Sequence, residues 1–328
     1  METLTERLLN DFQRDFPLSP LPFDAIAQRL DTDTGTVLQR LRQLRERGAV
    51  SRVGPVFRPN TVGVSTLAAM AVPAAELEAV AARVSRFPEV NHNYEREHRY
   101  NLWFVVTAPD PASLDAALDR IRTATGHELL SLPLLRDYHI DLGFPMQLGD
   151  GEDIAAPVTA TPPPELQDGA AGGAEDLIDA VQDGLPLVAR PYRAIAERLG
   201  WSERAVIDGL RDMIGRGVIK RLGVVVRHHE LGYRANAMVV WDVPDAEVDR
   251  LGSQLGRQDC VTLCYQRPRR LPDWPYNLFC MVHGRDRGDV LACIGRMVEG
   301  LGLEHIPRSV LFSGRRFKQR GARYRLGH

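Results

Sequence analysis

The 328-residue sequence has almost no net charge: 41 Lys and Arg stand against 43 Asp and Glu, leaving −2. So even a balance argues against a protein whose main business is holding nucleic acid by bulk electrostatics. Only four cysteines occur, Cys260, Cys264, Cys280 and Cys293, and none forms a CxxC. They read as small core residues of a reduced, cytoplasmic protein. No apolar run approaches membrane-spanning length, and METLTERLLNDFQRDF is an amphipathic helix without an apolar signal core or small-residue cleavage site. The histidines form no HExxH or other metal-ligand spacing, which argues against a dedicated zinc site. A phosphate-cradling glycine loop and a nucleophile elbow are also missing. The remaining composition, 44% hydrophobic and 26% charged, is that of an ordinary globular chain long enough for two or more domains.

What is present is a repeat. Phe23–Gly63 aligns with Tyr192–Gly232 at a constant offset of 169, with 15 identities in 41 positions. A period near half the chain means two similar domains. Between the copies, residues 148–176 are rich in Pro, Ala, Gly and acids without apolar period, and read as a linker. A flexible stretch of that length reaches roughly 30 Å.

Each copy opens with two short runs at helical spacing, the second stopped by Gly48 or Gly217. VSRVGPVF and IKRLGVVV then alternate like a small hairpin, completing a winged helix-turn-helix. Strand, helix, two strands, helix and strand follow. The predicted fold class is therefore α+β: two tandem modules, each a winged helix-turn-helix followed by a ferredoxin-like βαββαβ domain. The predicted boundaries are 1–63, 64–147, the linker, 177–232 and 233–328. Asp31 and Asp33 in one copy, and Glu203 in the other, place acids where a recognition helix would meet phosphates. That weighs against DNA binding.

The run Tyr94-Glu-Arg-Glu-His-Arg-Tyr100 stands directly before the apolar LWFVV, at the tip between two central strands. In the second copy Tyr265 matches Tyr94, Arg267 matches Arg96 and YNLF matches YNLW, with Arg269 and Arg270 on a hairpin five residues longer. A solvated turn accounts for an isolated charge run. It does not account for aromatic residues at both ends, or for Tyr-x-Arg and Tyr-Asn-Leu in both copies. The C-terminal GRRFKQRGARYRLG adds Arg315, Arg316, Lys318, Arg320, Arg323 and Arg325 with no acid. Arginine suits bidentate pairing with carboxylate or phosphate. The expected ligand is an anion with several carboxylates, or nucleic acid.

A winged helix followed by βαββαβ resembles the Lrp/AsnC regulators. REHRYNLWF, RHHELGYRANAMVVW and RRFKQRGARYR resemble a narrower branch, the siroheme decarboxylases, in a fused form with a NirD-like half before the linker and a NirL-like half after it. The resemblance implies a polycarboxylate iron tetrapyrrole, siroheme, as substrate. It implies loss of CO₂ from the acetates at positions 12 and 18 on the way to haem d1, with no cofactor beyond the substrate's own iron. His98, Tyr100, His92 and His228 are then the proton-handling candidates, with His228 also a possible ligand to the iron. Strand alternation puts His92 on the face of Tyr94 and Arg96. Tyr94, Arg96, Arg99, Tyr265, Arg267, Arg269, Arg270, Tyr276, Arg316, Lys318, Arg320 and Arg323 are the substrate-binding candidates. His127, His139, His283 and His305 are read as structural. Only the first copy has His98 and only the second has the LPDWP insertion. The halves are therefore expected to be unequal, with His98's half doing most of the chemistry; their effector sheets are expected to pack as an internal heterodimer, or to pair across chains in a homo-oligomer. The competing readings are a ligand-responsive DNA-binding transcription regulator and a tetrapyrrole carrier.

Overall fold

The computed structural model describes residues 3–58, 61–140, 171–226 and 235–321. In chain order the first half contains α1 (Leu4–Asp11), α2 (Pro22–Arg29), α3 (Thr34–Glu46), β1 (Val50–Phe57), β2 (Val64–Met70), α4 (Leu77–Ser85), β3 (Val90–Arg96), β4 (Leu102–Ala108), α5 (Pro111–Thr125), β5 (Leu129–Pro133) and β6 (Arg136–Ile140). The second half contains α6 (Ala171–Val181), α7 (Pro191–Leu199), α8 (Glu203–Gly215), β7 (Ile219–Val226), β8 (Ala235–Trp241), α9 (Val248–Leu255), β9 (Val261–Gln266), β10 (Leu278–Gly284), α10 (Arg287–Leu301) and β11 (Arg308–Gln319). Helix α6 begins inside the stretch read as a linker, because Leu177, Ile178 and Val181 bury one of its faces.

The chain forms two compact units, and they are not its two sequence halves. One takes residues 1–62 and 143–228; the other takes 63–142 and 229–326. In the first unit, polar side chains at the start of the recognition-like helices have a local task. Asp33 Oδ1 accepts the Thr36 amide at 2.9 Å and Ser202 Oγ accepts the Ala205 amide at 3.1 Å, capping α3 and α8. The wing reading is corrected here. VSRVGPVF and IKRLGVVV are single strands that pair antiparallel with each other. Gly54 lies opposite Gly223. A Cβ on Gly54 would meet Gly184 Cα at 2.9 Å, and one on Gly223 would collide with the Gln13 carbonyl. Close approach of other backbone explains why both copies have glycine there.

The second unit is one antiparallel sheet of nine strands in the order β5-β2-β4-β3-β11-β8-β10-β9-β6. Two strands change partners. The last strand predicted for the first copy divides into β5, which pairs with β2 of its own half, and β6, which pairs with β9 of the other. Strand β11 does the same without a break: Arg308–Phe312 pair with β8, and Ser313–Gln319 pair with β3. The two βαββαβ modules thus share one hydrogen-bonded sheet as an internal heterodimer. One face carries α4 and α5 over the Phe104 and Ile121 core, and α9 and α10 over the Trp241 and Met297 core. The opposite face gathers apolar residues of both halves in a third cluster, including Trp103, Leu132, Met238, Phe279 and Leu311.

The cysteine expectation is corrected at two positions. Cys260, at the edge of β9, and Cys293, on the buried side of α10, are joined as a disulfide with Cα atoms 6.6 Å apart. Cys264 and Cys280 remain buried thiols on adjacent strands, with sulfurs 3.6 Å apart. Burial pushes the Cys264 thiol up.

Candidate active site

Alternation along β3 sorts its polar residues. Asn93 Nδ2 reaches the Ala81 carbonyl at 3.0 Å and Ser85 Oγ at 3.1 Å, on the α4 side. His92, Tyr94 and Arg96 consequently project to the opposite face, where the His92 and Tyr94 rings stack at 6.2 Å. Arg96 is buried there and crosses to the second half. Its Nη1 donates to the Leu311 carbonyl at 3.2 Å and to Ser313 Oγ at 3.0 Å. Ser313 Oγ also bonds Asn236 Oδ1. Burial lowers the Arg96 guanidinium to a pKa of about 10, opposed by the phenols of Tyr265 and Tyr94; it stays charged near neutrality.

The matching residues of the second half come to the same face. The Arg267 guanidinium carbon lies 4.9 Å from the centre of the Tyr265 ring, and its Nη1 donates to the Leu132 carbonyl of the first half. Burial raises the Tyr265 phenol, while the charges of Arg267 and Arg96 pull it down. Among the described residues, Nε of Arg96 and Nε of Arg267 are buried without a hydrogen-bond partner. A buried guanidinium and a half-buried one, each with an unspent buried Nε donor, flank a tyrosine on one face. That is the feature most suited to an anionic ligand.

At the hairpin tip the halves meet through the insertion. His98 accepts the Tyr100 amide on Nδ1 at 3.0 Å and stacks on the Tyr100 ring at 6.2 Å. The Trp274 ring stands edge-on to His98 at 5.5 Å. Burial, then the charge of Arg99, lowers the His98 pKa and keeps the imidazole neutral near pH 7. With Nδ1 accepting, the proton of the neutral ring sits on Nε2. Burial, then Asp273, raises the Tyr100 phenol, against Arg99. Arg99 itself is exposed, 3.5 Å from Asp273.

Other predicted residues are engaged elsewhere. Arg269 binds Asp242, at 2.8 Å, and Asp245, and also the Val243 carbonyl; its guanidinium ties down the loop after β8. Arg270 Nε donates to the Ser131 carbonyl at 2.9 Å. Tyr276 packs on Trp274 at 5.0 Å. Much of the basic C-terminus is strand. Lys318 Nζ caps the end of α4 through the carbonyls of Ser85 (2.6 Å) and Phe87 (2.9 Å), and Arg315 bonds Glu78 and Glu95. Arg316 stands opposite Tyr94 in register and donates to Gln319, and the Arg320 amide donates to the Asn91 carbonyl. Arg323 and His228 lie outside the described residues, which include no cluster of three or more His, Cys, Asp or Glu fit for a metal.

The asparagine of Tyr-Asn-Leu has a structural reason in both copies. Asn101 brackets the Val72 backbone, with its Oδ1 at 3.0 Å from N and Nδ2 at 2.9 Å from O. Asn277 brackets Val243 likewise, at 2.9 Å and 2.9 Å. Trp274, Ser313 and Asn236 are the site neighbours not anticipated. Only Trp274 had a signal, the extra length of its hairpin.

A repeated helix-turn-helix, with two effector-type βαββαβ modules merged in one sheet around Arg96 and Arg267, defines a relative of the Lrp/AsnC class. Residues 61–139 and 230–318 match the AsnC-like ligand binding domain, and residues 5–50 and 175–220 match the siroheme decarboxylase NirDL-like HTH domain. The chain is 46% identical to the siroheme decarboxylase NirDL subunit of Paracoccus denitrificans, over 98% of this chain and 97% of that one. It also matches the separate NirD and NirL subunits of Stutzerimonas stutzeri. These are 53% and 51% identical over 46% and 44% of this chain, covering 97% and 85% of theirs. The crystal structure of a siroheme decarboxylase NirDL in complex with an iron-uroporphyrin III analogue superposes with a TM-score of 0.69 at 29% identity, covering 98% of this chain and 94% of that one. The chain belongs to the siroheme decarboxylase family of NirDL type. No helix among the described residues is long and apolar enough to cross a membrane.

Proposed function

We propose that this chain is a cytoplasmic carboxy-lyase that converts siroheme to 12,18-didecarboxysiroheme, a step of haem d1 formation. The observation that carries the reading is the pair Arg96 and Arg267. Their unpaired Nε groups, beside Tyr94, Tyr265 and His92, suit a ligand bristling with carboxylates.

In each step the bond between the acetate methylene and its carboxylate carbon breaks. Its electron pair stays on the methylene and spreads into the macrocycle, CO₂ departs, and a proton converts the carbon to methyl. The substrate is its own electron sink, so the reaction is read as needing no cofactor beyond the substrate iron. Arg96 and Arg267 hold the retained carboxylates and withdraw water from the one that leaves. His98 presents Nε2–H as the proton-bearing edge, and Tyr100 and His92 are the further proton-handling candidates. His228 stays a candidate iron ligand or relay.

The transcription-regulator reading has less support. Asp33 and Ser202 are spent on helix caps, and the strands that would form wings pair with each other. Purified protein mixed anaerobically with siroheme, with products followed by mass spectrometry, tests the proposal. Stepwise loss of two CO₂ is expected. Unchanged pigment that co-elutes with the protein would point instead to a carrier, and pigment that neither binds nor reacts would return attention to DNA.

A further inference from the structure

Trp274 is wholly buried, although it belongs to an insertion that only the second hairpin has. Its ring meets corresponding residues of both halves. Tyr100 and Tyr276 lie at 6.0 and 5.0 Å, and Trp103 and Phe279 at 5.2 and 6.1 Å. These are equivalent positions of YNLW and YNLF, so one side chain fills the place where the two copies converge. It does not treat them alike. Four residues beyond the matched tyrosines, the first half offers His98 and the second offers Arg269. Arg269 is fastened by Asp242 and Asp245, whereas His98 turns its ring to Trp274.

The imidazole is held from three directions: by the Tyr100 amide on Nδ1, by the Tyr100 ring, and by the indole edge-on at 79°. The first two come from its own loop and would follow that loop if it moved. Trp274 is the contact from outside. The insertion is anchored in turn by reciprocal backbone bonds between Arg270 and Trp274, at 2.8 and 2.7 Å, and by Asp273 against Arg99. The indole Nε1 has no hydrogen-bond partner among the described residues. Burying that donor unpaired is costly, so the ring is there for its shape. An imidazole torsion is broad and roughly two-fold, and a ring without a lateral wall can flip to put Cδ2 where Nδ1 accepts the Tyr100 amide.

We infer that Trp274 is a positioning residue for His98, holding the imidazole with Nδ1 on the Tyr100 amide and Nε2 as the proton-bearing edge. The inference rests on the proton role proposed for His98, and the two are tested by different readouts. Nitrogen-15 NMR of the full chain, with His98 assigned by the signal missing in His98→Gln, reads tautomer and titration without turnover. The charged neighbours that also bear on His98 are Arg99, Asp273 and the Glu97–Arg287 pair, and all stay in place.

In Trp274→Leu, His98 is expected to show mixed tautomers and to titrate closer to ordinary imidazole. With siroheme, kcat is expected to fall about a hundredfold with KM nearly constant, and the acid limb of the pH profile to move with the titration. Trp274→Phe, which restores a flat rigid ring, is expected to recover one tautomer and most of kcat. Should the leucine variant not fold, Trp274→Met, which refills the volume without a rigid ring, serves in its place. His98 signals unchanged in a folded leucine or methionine variant would overturn the positioning role. Full turnover in His98→Gln would instead remove the proton role of His98.

Discussion

Arg96 on β3 and Ser313 on β11 stand directly opposite each other, and Arg96 Nη1 donates to Ser313 Oγ at 3.0 Å. One residue comes from the first half of the chain and the other from the far end of the second. A buried charge is thereby fixed across the junction of two modules, with its Nε still available. Arg96→Lys keeps the charge and loses the fork. Its KM for siroheme should rise about tenfold or more while the fold survives. Arg96→Ala should also lose about 1–3 kcal/mol of stability, because the Leu311 carbonyl and Ser313 Oγ each lose a charged donor in a buried place. Steady-state kinetics and denaturant titration separate the two effects.

Arg269 should behave oppositely. Its guanidinium is occupied by Asp242, Asp245 and the Val243 carbonyl. Arg269→Ala is expected to cost about 1–3 kcal/mol, since the partly buried Asp242 loses its charged partner and the Val243 carbonyl keeps only the Asn277 donor. Turnover per folded molecule should stay close to that of the parent. A selective loss of siroheme affinity with unchanged stability would refute this division of labour.

The lowered His98 pKa gives a stability slope of known sign. The folded imidazole binds its proton less readily than the unfolded one, whose pKa is about 6.5. Between the two values the unfolded chain therefore holds more protons, so stability falls as pH drops through the unfolded value and levels off below the folded one. Thermal unfolding from pH 7.5 down to pH 5 should show the parent losing more than His98→Gln. Parallel curves would contradict it.

Two glycines should separate close approach from helix propensity. Gly223→Ala puts a methyl against the Gln13 carbonyl and should destabilise the protein. Gly295→Ala, within α10 and with nothing near its Cβ position, should stabilise it by about 0.5–1 kcal/mol. Unfolding midpoints decide both.

Residues 1–147 and 171–328, produced as separate chains, should co-purify as a one-to-one complex. Strand β6 of the first belongs to the sheet beside β9, and the end of β11 belongs beside β3. Outer-face contacts repeat the exchange: Arg136 pairs with Asp249 as Arg315 pairs with Glu78, both acids being the second residue of their helix. These exposed ion pairs add little, and the backbone ladders hold the halves together. Gel filtration of the mixture checks this, and two species that elute apart would overturn it.

The amino-acid sequence by itself determined the duplication, the order of helices and strands, and the face on which His92, Tyr94 and Arg96 lie. Each of these follows from local period and from comparing one copy with the other. Helices α5 and α10 are legible because their caps and apolar spacing act within a few residues. Partner choice was not legible. That β1 pairs with β7, that β6 and β11 cross between halves, and that Cys260 meets Cys293 depend on surfaces far apart in the chain. The roles of the arginines were decided the same way. Arg267 and Arg269 are two residues apart and alike in composition; one faces Tyr265 with a donor to spare and the other is consumed by two aspartates. A guanidinium's function depends on which acids and carbonyls the tertiary fold brings within hydrogen-bonding distance, and spacing along the chain carries no trace of them.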